Sequence, residues 1–415
     1  MTERMPIYTG ENAIAPGLEF CQSRGFKRFV LVADGNTWRA LGEKVDTALR
    51  GQGWDVIRVV LDPENLHADE LSAARVLAAY DAQERLFVAV GSGSMTDLTR
   101  FVSQRTRNPF ICFPTAASVD AYTSVNAPMT IGGYKGSITC SAPVGIFTDL
   151  PTVCAAPQRM TASGFSDMLS KFLTAADWKL TALLWDATYD EAIYQRVDAC
   201  ARHGVSGAGG IGRSEPDAVK ALMETHYESG FCMVDWGSSA PCSGAEHHIS
   251  HVWEMMDQWA GREGLLHGEG VGVAGIVCAD WYEQLRALSS AEAERRLEAN
   301  PVPTRVRQEA ALRRDLPLVA EEIIHNNPYM LQMTDAQVWA AVKTRFLERW
   351  NAIQEVAGRV PPASQYEAWV RQAGAPATAQ EAGLSEEQAR LGFTYGHYMR
   401  DRFSINIIRQ LLGFA

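Results

Sequence analysis

The sequence predicts an α/β N-terminal domain built on a parallel sheet, over residues 1–155, and an all-α C-terminal domain over residues 156–415. Up to about residue 150, strand-length apolar runs alternate with helical stretches, which is the pattern of a parallel sheet covered by helices. After Pro157 the chain changes to long amphipathic stretches rich in Ala, Leu, Glu and Arg, such as residues 289–298 and 335–357. These two observations together predict the division.

The predicted strands are four short runs rich in β-branched residues, each bounded by Gly, Asp or Pro. They cover residues 28–33, 55–60, 86–90 and 144–147. Residues 373–382 and the Pro361-Pro362 pair are predicted loops within the helical half, since they break its periodic pattern without resembling an interdomain linker.

Composition and charge narrow the class of function. The formal net charge of −11 argues against nucleic-acid and anionic-membrane partners, because both need concentrated Lys and Arg. We therefore expect a small-molecule substrate. The N-terminus lacks a signal-peptide core, and no stretch approaches the roughly 20 apolar residues of a bilayer span, which predicts a cytoplasmic protein. The eight cysteines include no C-x-x-C pair, which predicts buried free thiols.

A glycine turn, Gly91-Ser-Gly-Ser-Met-Thr-Asp97, directly follows the predicted strand 86–90 and precedes a helical stretch over residues 98–102. Glycines let the backbone approach a pyrophosphate closely, and the N–H groups at a helix N-terminus favour its negative charge. The turn therefore predicts a dinucleotide cradle formed by Gly91, Gly93 and Ser94. Because such connections also use glycine for geometry alone, that alternative stays open.

Asp34 is a second cofactor candidate, because it ends the predicted strand 28–33 and is followed by Gly35-Asn36-Thr37. In this position a carboxylate can accept hydrogen bonds from the ribose of an adenosine. The alternative is that Asp34 only caps a helix beginning at Trp38. The residues do not decide between these roles.

Four of the nine histidines lie in one short window, Glu246-His247-His248-Ile-Ser-His251 and Leu265-Leu-His267-Gly-Glu269. On a helix, His247 and His251 share a face while His248 turns away. Two imidazoles and one carboxylate with an open position form the catalytic arrangement for Zn²⁺ or Fe²⁺. His267 can reach the same point, and Asp167 is the candidate carboxylate, although an acid there also suits a helix N-terminus. We expect structural roles for the isolated histidines, which are His67, His203, His226, His325 and His397.

Six segments together resemble the sn-glycerol-1-phosphate dehydrogenase branch of the iron-containing alcohol dehydrogenase and glycerol dehydrogenase superfamily. The segments are Val32-Ala-Asp-Gly-Asn-Thr37, Gly91-Ser-Gly-Ser-Met-Thr-Asp97, Pro114-Thr-Ala-Ala-Ser-Val-Asp120, Gly164-Phe-Ser-Asp167, Ser243-Gly-Ala-Glu-His-His-Ile-Ser-His251 and Leu266-His-Gly-Glu269. Because they occur in the right order over most of the chain, their combination is far more specific than any one motif. The resemblance implies a Rossmann-like N-terminal domain and a dehydroquinate synthase-like fold.

The resemblance also implies the site residues and the cofactors. It implies that Asp167, His247 and His267 bind one divalent metal, for which Zn²⁺ is expected and Fe²⁺ or Ni²⁺ is the alternative, while Asp120 and His251 face the substrate. It implies that the cofactor is NAD or NADP, with contacts from Gly91, Ser92, Gly93, Ser94, Met95, Thr115, Ala116, Ala117, Ser118 and Ser124.

Two departures from the family pattern concern the substrate. Phosphate-using members are expected to have Ser-Arg-Pro where this chain has Ser239-Ala240-Pro241, so a cation is missing there. They are also expected to have Asp-Gly where this chain has Asp120-Ala121. Both changes point away from a phosphorylated substrate. Positive charge could still come from Arg213, Lys135 or Lys171, and backbone N–H groups can also hold a phosphate.

We therefore expect a metal-dependent, NAD(P)-linked oxidoreductase that interconverts a small glycerol-like alcohol and its ketone, most like glycerol 1-phosphate and dihydroxyacetone phosphate. The alternative substrate is an unphosphorylated polyol such as glycerol. The candidate catalytic residues are Asp120, Asp167 and His251, with His251 relaying a proton, binding a second hydroxyl or only supporting the metal ligands.

Two other classes of function compete with this interpretation. A lyase of the dehydroquinate synthase type is disfavoured because it expects a glutamate ligand and a strongly cationic pocket, whereas this chain has Asp167 and an acidic composition. A catalytically silent relative is disfavoured because all three ligand types are retained. We also expect a homo-oligomer, a dimer or larger, with no nucleic-acid partner and no membrane span.

Overall fold

The computed structural model describes residues 4–64 and 66–414, and its N-terminal part is built on a parallel sheet. The strands are β1 (Ile7–Gly10), β2 (Arg28–Asp34), β3 (Asp55–Leu61), β4 (Leu86–Gly91), β5 (Phe110–Pro114), β6 (Asn126–Ile131), β7 (Tyr134–Thr139) and β8 (Gly145–Asp149). Six of them form one parallel sheet in the order β1-β8-β5-β4-β2-β3, and β6 and β7 form a separate antiparallel hairpin. The predicted α/β fold of this part is confirmed.

Helices cover the sheet and then make up the rest of the chain. The first six are α1 (Ile14–Ser23), α2 (Gly35–Thr37), α3 (Glu43–Gly51), α4 (Glu70–Ala79), α5 (Gly93–Arg105) and α6 (Leu150–Cys154). A π-helical turn at Trp38–Gly42 joins α2 to α3. The helix after β2 therefore begins at Gly35, three residues before the predicted start at Trp38, because Asp34 caps it there.

The helical part follows, and among the described residues after Asp149 there is no strand. Its helices are α7 (Gln158–Leu169), α8 (Lys171–Trp185), α9 (Glu191–Gly204), α10 (Ala208–Gly212), α11 (Pro216–Trp236), α12 (Ala245–Trp259), α13 (His267–Arg286), α14 (Ser290–Ala299), α15 (Arg305–Asp315), α16 (Ala320–Asn326), α17 (Tyr329–Gln332), α18 (Ala336–Glu348), α19 (Trp350–Arg359), α20 (Ala363–Gln372), α21 (Glu386–Tyr395) and α22 (Ile405–Leu412). Short 3₁₀ turns lie at Val205–Gly207, Ala240–Cys242 and Gly396–Tyr398.

The four predicted strands are all present, and their bounds differ from the predictions by at most two residues. They were recognisable because helices bury both faces of a parallel sheet, so its central strands are continuous apolar runs. All six residues of β4 are buried, as are five of the seven residues of β2. The sequence analysis missed β1, β5 and the β6–β7 hairpin.

The predicted helical stretch 335–357 is divided into α18 and α19 at Arg349. Arg349 leaves the helical conformation, with φ −100° and ψ 18°. Its guanidinium donates to the carbonyl of Leu183 at 2.6 Å and to Asp186 Oδ1 at 2.7 Å. These hydrogen bonds to α8 and to Asp186, the residue after it, fix the break between α18 and α19. Because they are tertiary contacts, the hydrophobic periodicity of the sequence could not predict them.

The order of the strands creates a crevice at one edge of the sheet. From β2 the chain crosses to β3 on one side, whereas β4 lies on the other side of β2 and is followed outward by β5. The connections that leave β2 and β4 therefore run in opposite directions. In open α/β sheets, ligands bind outside the carboxyl ends of the strands at this switch in strand order.

Two sequence predictions concern the state of the cysteines and the presence of a membrane-spanning helix. The eight cysteines are free, and all except the half-buried Cys154 are buried. Among the described residues, no helix combines the length and the apolar character needed to cross a bilayer.

Candidate active site

The crevice lies between the residues that follow β2 and those that follow β4. A methyl group added to Gly91 would lie 3.4 Å from Thr37 Cγ2, so the two turns are in van der Waals range of each other. Thr115, which follows β5, donates its N–H to the carbonyl of Gly91 at 3.1 Å. The cofactor candidates at the ends of three neighbouring strands are thereby brought together.

Asp34 has the capping role that the sequence left open. Its Oδ1 accepts the N–H groups of Asn36 at 2.7 Å and Thr37 at 3.0 Å, and Thr37 Oγ1 accepts the N–H of Asp34 at 3.0 Å. Both capping bonds use the same carboxylate oxygen. Oδ2 takes no part in the cap, so capping and ribose binding are compatible.

The glycine turn after β4 leads into α5 and faces the cavity at Gly93 and Ser94. A Cβ on Gly91 would lie 2.5 Å from Met95 Cγ, and a Cβ on Gly93 would lie 2.9 Å from Val119 Cγ2. These glycines are therefore needed for packing. The packing role does not conflict with the predicted cradle, because the N-terminus of a 13-residue helix still points at the cavity.

A buried arginine that the sequence analysis did not identify holds the loop between β5 and β6. Arg100 pairs with Asp97 at 2.6 Å and donates to the carbonyls of Ala121 at 2.6 Å, Asn126 at 2.8 Å and Tyr122 at 3.1 Å. The clamped segment carries Asp120 and Ser124, which both line the cavity. The other candidates in this region, Thr115, Ala116, Ala117 and Ser118, are buried behind it.

One cavity of about 320 Å³ extends from Gly93 and Ser94, at the start of α5, to α12 and α13 in the helical part. All five predicted metal and substrate residues line it: Asp120, Asp167, His247, His251 and His267. Its size is within the range of small-molecule sites, which is roughly 300–1,000 Å³. The two halves of the chain thus contribute to a single site.

The three candidate metal ligands come from three helices. Asp167 lies on α7, His247 on α12, and His267 is the first residue of α13, and their ligand atoms lie within 4.8 Å of one another. His247 Nε2 is 3.2 Å from Asp167 Oδ1. Two ligands each about 2.0–2.1 Å from a tetrahedral ion are roughly 3.3 Å apart, so this spacing fits a shared ion.

Each of the two histidines is oriented by a carboxylate on its other ring nitrogen. His247 Nδ1 lies 2.7 Å from Glu246 Oε1, and His267 Nδ1 lies 2.7 Å from Glu254 Oε1. A histidine that donates from Nδ1 presents the lone pair of Nε2, and the carboxylate makes that nitrogen more basic. The donor set therefore fits a divalent metal, and Glu246 and Glu254 are its supporting groups.

The packing of α13 against α7 places His267 beside Asp167. A Cβ on Gly268 would lie 1.9 Å from the carbonyl oxygen of Ser163, a distance that no side chain tolerates. The N–H of Gly268 also donates to Ser163 Oγ at 3.0 Å, which fixes the start of α13 against α7. Glycine at this position lets the first turn of α13 approach α7 closely enough to share a ligand set.

Asp167 is held ionised inside the protein. Burial by itself would raise the pKa of this carboxyl, but Lys171 and His247 outweigh burial and hold the pKa well below its ordinary value. Lys171 Nζ lies 3.3 Å from Asp167 Oδ1 and 2.8 Å from Asp120 Oδ2. Asp120 also accepts Ser229 Oγ at 2.7 Å and donates its N–H to Asp167 Oδ2 at 3.0 Å. One network thus fixes both carboxylates.

His251 and His248 lie one helical turn apart on α12, but only His251 reaches the cavity. His251 lines the cavity, with its ring centroid 5.6 Å from that of His267, whereas His248 does not line it. Burial, reinforced by positive charges nearby, holds the pKa of both imidazoles well below the ordinary value. Both rings are therefore neutral near pH 7, and only His251 can act on a molecule in the cavity.

The sequence analysis identified the histidines and Asp167 but not the residues that support them. Glu246 and Glu254 carry a weak signal, because both share α12 with the histidines. Arg100, on α5, carries none, since it acts on backbone carbonyls of the following loop that no motif marks. Arg400, which lines the cavity, carries none, since it reaches the site from a distant segment.

Comparison with known proteins adds to this picture. A family described as iron-containing alcohol dehydrogenase matches residues 8–157. The glycerol-1-phosphate dehydrogenase [NAD(P)+] of Bacillus subtilis is 30% identical over 404 residues, which is 95% of this chain and 88% of that protein. The protein of the same name from Halalkalibacterium halodurans is 35% identical over 280 residues, covering 67% of this chain and 70% of that protein.

Solved structures with similar folds are more distant in sequence. The NADH-dependent butanol dehydrogenase A of Thermotoga maritima has a TM-score of 0.62 at 14% identity and covers 100% of this chain and 97% of that one. The glycerol dehydrogenase of Schizosaccharomyces pombe has a TM-score of 0.56 at 18% identity, with 93% of each chain covered. At these identities the similarity establishes the fold alone.

Proposed function

The chain belongs to the iron-containing alcohol dehydrogenase family, and we propose that it is a metal-dependent, NAD(P)-linked dehydrogenase that interconverts glycerol 1-phosphate and dihydroxyacetone phosphate. The observation that carries the proposal is the set of Asp167, His247 and His267 in a cavity that continues to Gly93 and Ser94 in the glycine turn. This chain aligns with most of the length of relatives that are named glycerol-1-phosphate dehydrogenase.

A divalent ion held by Asp167, His247 and His267 would supply a Lewis acid that stabilises negative charge on the substrate oxygen. Bound NAD(P) would supply the nicotinamide that takes up or gives the hydride. The chain's task is to place the nicotinamide and the substrate carbon against each other. The start of α5, at Gly93 and Ser94, and the histidines of α12 and α13 line one continuous cavity, which supports this placement.

His251 moves the proton in this proposal. Its Nδ1 is buried without a partner among the described residues, so Nε2 is the ring atom available to the cavity. Since the ring is neutral near pH 7, Nε2 can accept the proton of the substrate hydroxyl and return it in the reverse reaction. Asp120, fixed by Ser229 and Lys171, accepts a hydrogen bond from a neighbouring hydroxyl.

We propose NAD as the preferred cofactor, because Asp34 Oδ2 can accept hydrogen bonds from a ribose and would repel a 2′-phosphate. For the metal we propose Zn²⁺, with Fe²⁺ and Ni²⁺ as alternatives, since all three accept two imidazoles and a carboxylate. We also propose a homo-oligomer, a dimer or larger.

The test removes the metal and screens substrates. Chelation should abolish NAD(P)H-linked turnover, and Zn²⁺, Fe²⁺ or Ni²⁺ should restore it, with the bound metal measured in the same samples. Full activity in a metal-free preparation would refute the mechanism. Turnover of glycerol 1-phosphate and dihydroxyacetone phosphate should exceed turnover of every other alcohol and ketone tested.

A second candidate is the dehydrogenase of an unphosphorylated polyol such as glycerol. It is favoured by Ala240, which stands where the phosphate-using pattern has arginine, and by Ala121 after Asp120. An arginine fork on a phosphate contributes about 1.5–3 kcal/mol, so an uncompensated loss would weaken binding by roughly ten- to a hundredfold. Turnover of glycerol with glycerol 1-phosphate ignored would select this candidate.

A further inference from the structure

Two arginines between α21 and α22 lie at the helical end of the active-site cavity. Arg400 lines the cavity directly. Arg402 donates to the carbonyl of Ser243, and its Nη2 donates to Ser239 Oγ at 3.2 Å. Ser239 and Ser243 both line the same cavity, so Arg402 lies directly behind its lining.

Neither guanidinium is neutralised by a carboxylate. Arg400 donates to the carbonyls of Met399 at 2.6 Å and Lys135 at 2.9 Å and to Tyr134 Oη at 3.3 Å. All the acceptors of both arginines are neutral oxygens. Over residues 4–64 and 66–414, no carboxylate oxygen lies within 4.0 Å of either guanidinium. Two half-buried cations without a carboxylate in ion-pair range are costly, and an anion from outside would relieve that cost.

The two charges act on each other and on the site. Burial, reinforced by the charge of Arg400, lowers the pKa of Arg402 to about 10, so Arg402 remains a cation at neutral pH. Arg400 and His251 line the same cavity, which places the charge of Arg400 at the site that takes the substrate.

Arg402 reaches the place where the family pattern has an arginine and this chain has Ala240. Ser239 and Ser243, the two residues that Arg402 contacts, bracket the 3₁₀ turn Ala240–Cys242. A guanidinium from a distant segment therefore lies at the loop that lacks one in its own sequence.

The arginine segment is held in place by the core of the helical part. The N–H of Phe403 donates to Thr181 Oγ1 at 3.0 Å, and the N–H of Ile405 donates to Asp177 Oδ1 at 2.7 Å. Asp177 Oδ2 also accepts the N–H of Ala245, the first residue of the metal-binding helix α12, at 2.7 Å. The position of the arginines is thus tied to the position of the metal ligands.

We propose that Arg400 and Arg402 form the binding site for the phosphate group of the substrate. Arginine is suited to this task because its planar fork matches phosphate oxygens in pairs. The cations that the sequence suggested are engaged elsewhere: Lys135 with Glu254, Lys171 with Asp120 and Asp167, and the exposed Arg213 with Glu215. The assignment rests on the proposed function for the identity of the phosphorylated substrate.

The test compares Arg400→Met and Arg402→Met with wild type, using Arg213→Met as the matched control for loss of an arginine. The ratio of kcat/KM for glycerol 1-phosphate to kcat/KM for glycerol should fall by about ten- to a hundredfold in each site variant. Metal content and the KM for NAD+ should stay at wild-type values, because the arginines lie outside both of those sites. Arg213→Met should behave as wild type.

A binding measurement separates this assignment from the proposed activity. Inorganic phosphate is titrated into metal-loaded protein with saturating NAD+, which occupies the pyrophosphate cradle, and binding is followed by calorimetry. Phosphate binding that is lost in both site variants supports the arginine site even if wild type does not turn over glycerol 1-phosphate, a result that would remove only the proposed function. Phosphate binding or a substrate ratio unchanged in folded site variants would overturn the assignment.

A double variant tests the equivalence of the two positions. Adding Ala240→Arg to an Arg402→Ala background returns a guanidinium to the same loop from its own backbone. The ratio of kcat/KM values should rise at least tenfold above that of Arg402→Ala. A folded double variant with no gain over Arg402→Ala would count against the assignment.

Discussion

Replacing Glu254 by Gln tests how the carboxylates behind the histidines tune the metal site. Glu254 accepts His267 Nδ1 at 2.7 Å and Ser250 Oγ at 2.9 Å and pairs with Lys135, and its side chain is only 15% exposed. Gln keeps the shape and one acceptor but removes the charge. Loss of such a supporting group weakens metal binding by roughly 10–100-fold, which is about 1.4–2.7 kcal/mol. Lys135 is left without its carboxylate, so we expect the upper end of this range.

Metal affinity is measured by competition between metal-stripped protein and a chelator of known affinity. Glu263→Gln is the matched control, because Glu263 lines the exposed rim of the same cavity and loses the same charge. The control should bind metal within about twofold of wild type. Wild-type affinity in Glu254→Gln, or an equal loss in Glu263→Gln, would refute the reasoning.

Three further predictions concern the metal helix, the cofactor and the stability of the fold. His247→Ala and Asp167→Ala should lose bound metal and several orders of magnitude in turnover, whereas His248→Ala should keep the metal because that ring faces away from the cavity; equal metal loss at His247 and His248 would contradict the orientation of α12. Asp34→Asn retains a capping oxygen but removes the charge, so it should raise kcat/KM for NADP relative to NAD without lowering the melting temperature; an unchanged ratio would show that Asp34 is only a cap. Burial, with Arg409 nearby, lowers the pKa of His397 to about 3, so the folded state favours the neutral ring. The contribution of His397 to the free energy of unfolding is therefore complete above the ordinary histidine pKa. It falls as the pH drops below about 6.5, by about 2 kcal/mol at about pH 5. Urea unfolding of His397→Leu should show a smaller loss between about pH 7.5 and pH 5 than wild type, and an equal loss would contradict this assignment.

The substrate phosphate is where local sequence and tertiary structure lead to different expectations. The motif Ser239-Ala240-Pro241 predicts that a cation is missing from that loop. In the folded chain Arg402 contacts both ends of the turn that contains Ala240. The side chains at residues 240 and 402 are 162 positions apart, so a motif comparison could not relate them.

The sequence by itself determined the features that depend on local pattern. The buried strands β2 and β4 were recognisable because a strand covered on both faces is apolar along its whole length. The four-residue spacing of His247 and His251 determined that both imidazoles lie on one face of a helix, because one helical turn has 3.6 residues.

Only the tertiary structure decided which distant groups complete the site. It brought Glu254 to His267 and Lys171 to Asp120. It also brought Arg400 to the lining of the cavity, and Arg402 to the lining residues Ser239 and Ser243. It also broke the long helical stretch at Arg349 by contacts from another helix. The physical reason is the same in each case: these contacts join elements far apart in the chain, and their energies depend on burial and charge that exist only after the helices have packed.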